Sequence, residues 1–157
     1  MKKLSVLILV LILISVLTLN NEKLAQLCFE FENAKLEFYC KGYSDEIKKL
    51  DSDVSIMNNG EEFIIKTMAN NAENIKNYLI DCFGYCIKIE GAKQDIEHLL
   101  DKIQVAKTEI VDGIEILYGY MYGFLFSTFI DGKKVNVQIA FNDNTVTIGS
   151  PIILGSY

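Results

Sequence analysis

Four cysteines (Cys28, Cys40, Cys82 and Cys86), a single histidine (His98) and two short tracts are where this chain of 157 residues could do chemistry. The tracts are DSDVSIMNNGEE over 51–62 and YGYMYGFLF over 118–126. A zinc site wants cysteines or histidines in closely spaced pairs, and these spacings are absent. Cys28, Cys40 and Cys82 fall on apolar stripes, where a thiol acts as a small core side chain, whereas Cys86 shares its face with Lys88 and Glu90. If a bridge forms, the sequence offers Cys82 with Cys86, or Cys28 with Cys40.

His98 lies off its helix's apolar stripe, with Asp95 and Asp101 one turn to either side. As a general base it would need a nucleophile, and no G-x-S-x-G turn or comparable mark supplies one. In 51–62, Asp51, Asp53, Ser55 and Glu62 have the spacing of calcium ligands. Ile56 occupies the sixth place, where the loop needs glycine for its sharp turn, so an acidic solvated hairpin is the better reading. If 118–126 stays extended, Tyr118, Tyr120, Tyr122, Phe124 and Phe126 line one face and could bind glycan or peptide. The competing reading puts these rings over the core. No catalytic set and no cofactor or metal set is marked, so a non-enzyme with no cofactor is expected; the enzyme alternative is a small wall hydrolase using carboxylates.

The elements that must position these residues follow from periodicity. Leu24, Leu27, Cys28 and Phe31 make one apolar stripe at helical spacing, and Asn20 or Asn21 can cap it. Leu36, Phe38 and Cys40 alternate with Glu37, Tyr39 and Lys41, which predicts a half-buried strand. Val54, Ile56, the NNG turn at 58–60 and EEFIIKTM read as a hairpin. A helix is predicted from Asn70 or Asn71 with Ala72, Ile75, Leu79, Cys82 and Phe83 inward, ending at Gly84. The strand YCIKIEG follows, then a helix with Ile96, Leu99, Leu100 and Ile103 inward. The remainder reads as β, with Asp112-Gly113 either a hairpin turn or a bulge and Asp131-Gly132 a turn. The class is therefore α+β: an antiparallel sheet with helices against one face, in two helix-led groups that suggest a duplicated unit.

Residues 1–19 are predicted to be a signal peptide or membrane anchor. Lys2 and Lys3 precede the aliphatic run Leu4 to Leu19, and no acid appears before Glu22. Sixteen helical residues reach roughly 24 Å, a little short of the ~30 Å hydrocarbon layer. The exit from the run lacks small residues at the cleavage positions, so both fates stay open. Residues 20–157 then form one extracytoplasmic domain. All fifteen basic residues are lysines, two of them in the leader, so this domain carries thirteen cations against twenty-one acids, a net of −8. An acidic surface without arginine argues against nucleic-acid partners. The expected partners are the membrane, through the N-terminal segment, and a protein, peptide or glycan of the envelope.

The closing stretch KKVNVQIAFNDNTVTIGSPIILGSY resembles the end of the YwmB-like family of Gram-positive bacteria. The match lies in Val137 to Ala140 and Ile148 to Ile153, a V-Q-I-A strand, a turn and an I-G-S-P-I-I segment, while the terminal Gly155-Ser156-Tyr157 departs from it. The resemblance implies an exported protein with a TATA-box-binding-like curved sheet backed by helices. It implies no catalytic residues, and a shape label does not carry DNA binding with it.

Overall fold

The computed structural model describes residues 23–50 and 53–154. The expected leader over 1–19 lies outside them. Residues 23–30 form helix α1, followed by β1 (Lys35–Tyr43), the hairpin β2 (Ser55–Asn59) and β3 (Glu62–Met68), and a short helix α2 (Ala72–Ile75). Then come β4 (Leu79–Glu90), α3 (Glu97–Leu100), the hairpin β5 (Gln104–Val111) and β6 (Ile114–Tyr120), the small hairpin β7 (Thr128–Ile130) and β8 (Lys133–Val135), β9 (Val137–Asn142) and β10 (Thr145–Ser150).

Eight strands make one fully antiparallel sheet in the order β2-β3-β1-β4-β10-β9-β6-β5, and β7-β8 stands apart as a ribbon. The architecture is α+β, dominated by the sheet. Two four-stranded halves meet at the β4–β10 seam. Their connections differ: β9 and β10 continue the β5-β6 meander, whereas β1 lies between β3 and β4.

One face of the sheet is the main core. Leu36 and Phe38 of β1, Ile65 of β3, Ile87 and Ile89 of β4, Ile139 of β9 and Ile148 of β10 pack there. Leu27 and Cys28 of α1, Ala72 and Ile75 of α2, and Ile96 and Leu99 around α3 cover them. The stripe expected on the first helix is therefore the one buried. α2 and α3 are four residues each, a single turn; α3 is entered through a turn in which the Asp95 carboxylate accepts from the Ala92 N–H at 2.6 Å.

The helix expected to run on to Gly84 stops earlier. After α2 and a single turn over Lys76–Tyr78, the chain is already strand at Leu79. Leu79, Ile80 and Cys82 pair with Tyr43, Gly42 and Cys40 of β1, so β4 borrows the last residues of the apparent helical stripe to match the full length of its neighbour. An irregularity between Tyr39 and Cys40, with Asp81 at φ 49°, shifts the register there, so Leu79 and Cys82 still pack against the main core while Phe83, expected inward with them, packs on the opposite face beside Tyr39 and Cys86.

Asp112-Gly113 is a hairpin turn, not a bulge: it is the two-residue link between β5 and β6, with both residues at positive φ (52° and 85°). Asp131-Gly132 repeats this between β7 and β8 (50° and 75°). Such turns match the twist of the strands they join.

Candidate functional site

The second face of the sheet is the one without helices. A smaller cluster of Tyr39, Cys86, Ile116, Ala140 and Ile153 sits at its centre. The segment after β10 folds back as a strap: the Ile153 N–H donates to Gln138 Oε1 at 2.8 Å, and Gly149 lets the strap backbone approach. Beside the strap, β1, β3, β4 and β10 leave a polar groove of about 600 Å³, lined by Lys35, Glu37, Asp53, Lys66, Cys86, Lys88 and Thr147 among others.

The alternation of β1 creates this groove. Because successive side chains point to opposite faces, burying Leu36 and Phe38 under the helices turns Lys35, Glu37 and Tyr39 outward. Register does the rest. Glu37 stands opposite Lys66 on one side and Cys86 on the other, and Lys35 stands opposite Lys88. Thr147 of β10 extends the Lys88 row.

Four side chains on this face form a connected relay. The Tyr39 hydroxyl donates to Cys86 Sγ at 3.1 Å, Cys86 Sγ donates to Glu37 Oε2 at 3.9 Å, and Glu37 Oε1 meets Lys66 Nζ at 2.8 Å. Burial pushes the Cys86 thiol up to about 12, with Glu37 adding to the effect, and burial likewise drives Tyr39 above its ordinary range. Both groups therefore stay protonated at neutral pH. Cys86 is no thiolate nucleophile, and Glu37 is already engaged by a cation. The groove lining sets Lys35, Lys66 and Lys88 against Glu37 and Asp53, a surplus of one positive charge, and Lys35 and Lys88 face each other across neighbouring strands with no ion pair among the described residues. Like charges directly opposite on adjacent strands oppose pairing.

The aromatic row expected over 118–126 is not realised, because the strand ends at Tyr120. Tyr118 and Tyr120 stay on the sheet, where the Tyr118 hydroxyl donates to Glu109 Oε1 at 2.8 Å and Lys134 Nζ lies 5.5 Å from the Tyr120 ring centre. Tyr122 is 75 % exposed. Phe124 is buried on the helix side, stacked on Tyr85 at 6.4 Å between ring centres, and Phe126 meets Tyr85 edge-on at 6.2 Å. Asn136 causes the departure. Buried between β8 and β9, its Oδ1 accepts from the Met121 N–H at 2.8 Å while its Nδ2 donates to the Met121 carbonyl at 2.8 Å and the Phe124 carbonyl at 3.4 Å. One amide thus serves backbone groups that a sheet neighbour would otherwise satisfy.

A Cys82–Cys86 bridge is excluded by the same change that shortened the helix. Their partners on β1, Cys40 and Glu37, are three residues apart, about 10 Å at about 3.3 Å per residue, beyond the ~7 Å limit for a disulfide. The two cysteines also join different packing clusters, Cys82 at the main core and Cys86 on the groove face. All four thiols are free, and Cys28 is buried on α1, its thiol pushed up to about 12 by burial. His98 Nε2 reaches back 2.8 Å to Glu30 Oε1 of α1, tying two helical segments together on the side away from the groove. Of the calcium-like spacing, Asp51 lies outside the described residues; Asp53 lines the groove, and Ser55 and Glu62 sit on the β2–β3 hairpin. Among the described residues no group of three or more His, Cys, Asp or Glu is placed to hold a metal ion, and no helix is long and apolar enough to cross a membrane.

No family model, curated protein or solved structure matches the chain. The groove is thus read from its own geometry. Sequence reasoning missed it because Lys35, Lys66 and Lys88 each look like ordinary solvated strand positions. Only the outward period of β1 was a signal, and it did not say what β3 and β4 would bring alongside.

Proposed function

We propose that this chain is a non-catalytic binding module of the cell envelope. Its first nineteen residues deliver it across the membrane as an anchor or cleaved leader, and its open sheet face captures an anionic group, a phosphate or carboxylate of an envelope component. The observation that carries the reading is the Lys35–Lys88 pair, two cations facing one another without a carboxylate partner among the described residues, in a domain whose net charge is −8. A bound anion would relieve their repulsion, whereas Lys66 is neutralised by its pair with Glu37 and adds no net charge.

Membership of the YwmB-like family and a TATA-box-binding-like curvature belong to this proposal. Their support is the closing V-Q-I-A and I-G-S-P-I-I segments, which here make β9, β10 and the strap. DNA binding is not part of it. A domain with eight surplus acids repels a phosphate backbone at long range, and the strap lies on the open sheet.

The test is titration with inorganic phosphate, acetate and a polyol-phosphate polymer, followed by calorimetry at low and moderate salt. Replacing both Lys35 and Lys88 by Gln is expected to weaken binding at least about tenfold and to flatten its salt dependence, since two exposed charges near an anion are worth on the order of 1–2 kcal/mol. Equal affinity in the double variant sinks the groove reading. Release of fragments from purified peptidoglycan by the chain would replace the binding module with a hydrolase.

A further inference from the structure

Cys40 and Cys82 are Cα partners in the β1–β4 ladder. Directly opposed residues on antiparallel strands have Cα atoms about 4.5–5.5 Å apart, inside the roughly 4.4–6.8 Å window that a disulfide spans. Their side chains meet as well as their backbones, for the two thiols hydrogen-bond one another. Cys82 Sγ is further oriented by a bond to the Gly84 carbonyl at 3.4 Å. The other two cysteines are engaged elsewhere: Cys28 packs on α1, and Cys86 sits in the Tyr39–Glu37 relay.

We propose that Cys40 and Cys82 are a disulfide-forming pair, which a small-molecule disulfide of the glutathione class oxidises to a covalent clasp between β1 and β4. The two sulfurs have different roles. Cys82 is half-buried and lines a cavity of about 330 Å³ with Lys76, Leu125 and Phe126, whereas Cys40 is fully buried. The hydrogen bond from Cys40 favours the Cys82 thiolate, while Cys40, which donates it and is buried, is held protonated. Cys82 is therefore the sulfur that meets the oxidant. Its thiolate attacks one sulfur of the incoming disulfide, breaks the S–S bond and expels one thiolate. Cys40 then gives its proton to solvent base and attacks Cys82 Sγ, and the second small thiolate leaves. Two protein thiols are oxidised and one disulfide is reduced to two thiols. The clasp would straddle the irregularity beside Tyr39 and close the whole β2–β3–α2 excursion into a covalent loop.

The inference is independent of what the groove binds. Its test is incubation of the full-length chain, in mild detergent, with glutathione disulfide. Thiols are then counted under denaturing conditions and linked peptides mapped. The expected result is a fall from four free thiols to two, with the peptide holding Cys40 joined to that holding Cys82, and a thermal midpoint raised by about 5–10 °C. In Cys82→Ala no such pairing should form; if that variant does not fold, the peptide map of the unmutated chain still decides. Four persistent thiols, a stable glutathione adduct on Cys82, a link through Cys28 or Cys86, or a bridge that lowers the midpoint would each overturn the proposal.

Discussion

Asn136 shows how much of the molecule can rest on one side chain. Its amide answers an N–H and two carbonyls of 121–124, and its own N–H donates to the Gly119 carbonyl at 3.0 Å. Asn136→Ala keeps the backbone bond to Gly119 but strands the Met121 N–H and carbonyl and the Phe124 carbonyl, each worth roughly 1–3 kcal/mol when left unmade. We expect a loss of about 3 kcal/mol in urea unfolding and release of Phe124 from Tyr85, read as a change in near-ultraviolet circular dichroism. Unchanged stability would mean the segment holds itself. No local pattern announces this residue. Asn136 lies fifteen positions from Met121, and its role exists only once β8 and β9 have formed, so the aromatic alternation over 118–126 has the pattern of a strand that tertiary hydrogen bonding interrupts.

At the scale of the element, the strap after β10 decides how much of the open face is available. A Cβ on Gly149 would stand 2.6 Å from Ile153 Cγ1 and 2.9 Å from the Ile153 backbone nitrogen, closer than packing permits. Because backbone atoms are involved, Gly149→Ala must lift the strap and break its bond to Gln138. The expected cost is about 1–3 kcal/mol, with faster labelling of Cys86 by a thiol reagent, since Ile153 covers the same cluster. Labelling as slow as in the parent chain would show that the strap does not shield it. The elements themselves were unevenly legible. Two-residue Asp-Gly links mark their turns through the positive φ they require, and the alternation on β1 reports its two faces directly. By contrast Leu79, Cys82 and Phe83 fit a helical stripe by spacing alone, and only pairing with Tyr43 and Cys40 recruits that stretch into β4. The groove is illegible in the sequence for a related reason: its lysines come from three strands whose neighbourhood is fixed by register.

For the whole molecule, buried protonated groups set an alkaline limit. Cys28 and Cys86 are held at about 12 against an ordinary 9.0, mainly by burial, and Tyr39 and Tyr85 are raised in the same direction. Each of these is neutral when protonated and binds its proton more tightly in the folded state. Stability from the two thiols is thus complete below pH 9 and declines as pH rises from there toward 12, because the unfolded chain gives up those protons first. With two thiols at about 1.4 kcal/mol per unit each, unfolding free energy should fall by up to about 3 kcal/mol for each unit above pH 9. Urea midpoints that stay flat between pH 8 and 10.5 would contradict this.

The seam between the halves also carries a message about timing. β4 lies mid-sheet, yet one of its two neighbours is β10, made some sixty residues later. Until Thr145–Ser150 has been synthesised, the amino-terminal strands present a bare ladder of backbone donors and acceptors, an invitation to stray pairing. Maturation must therefore wait for the tail, and any nascent fragment lacking it would be a substrate for chaperones or proteases long before it resembled the finished protein.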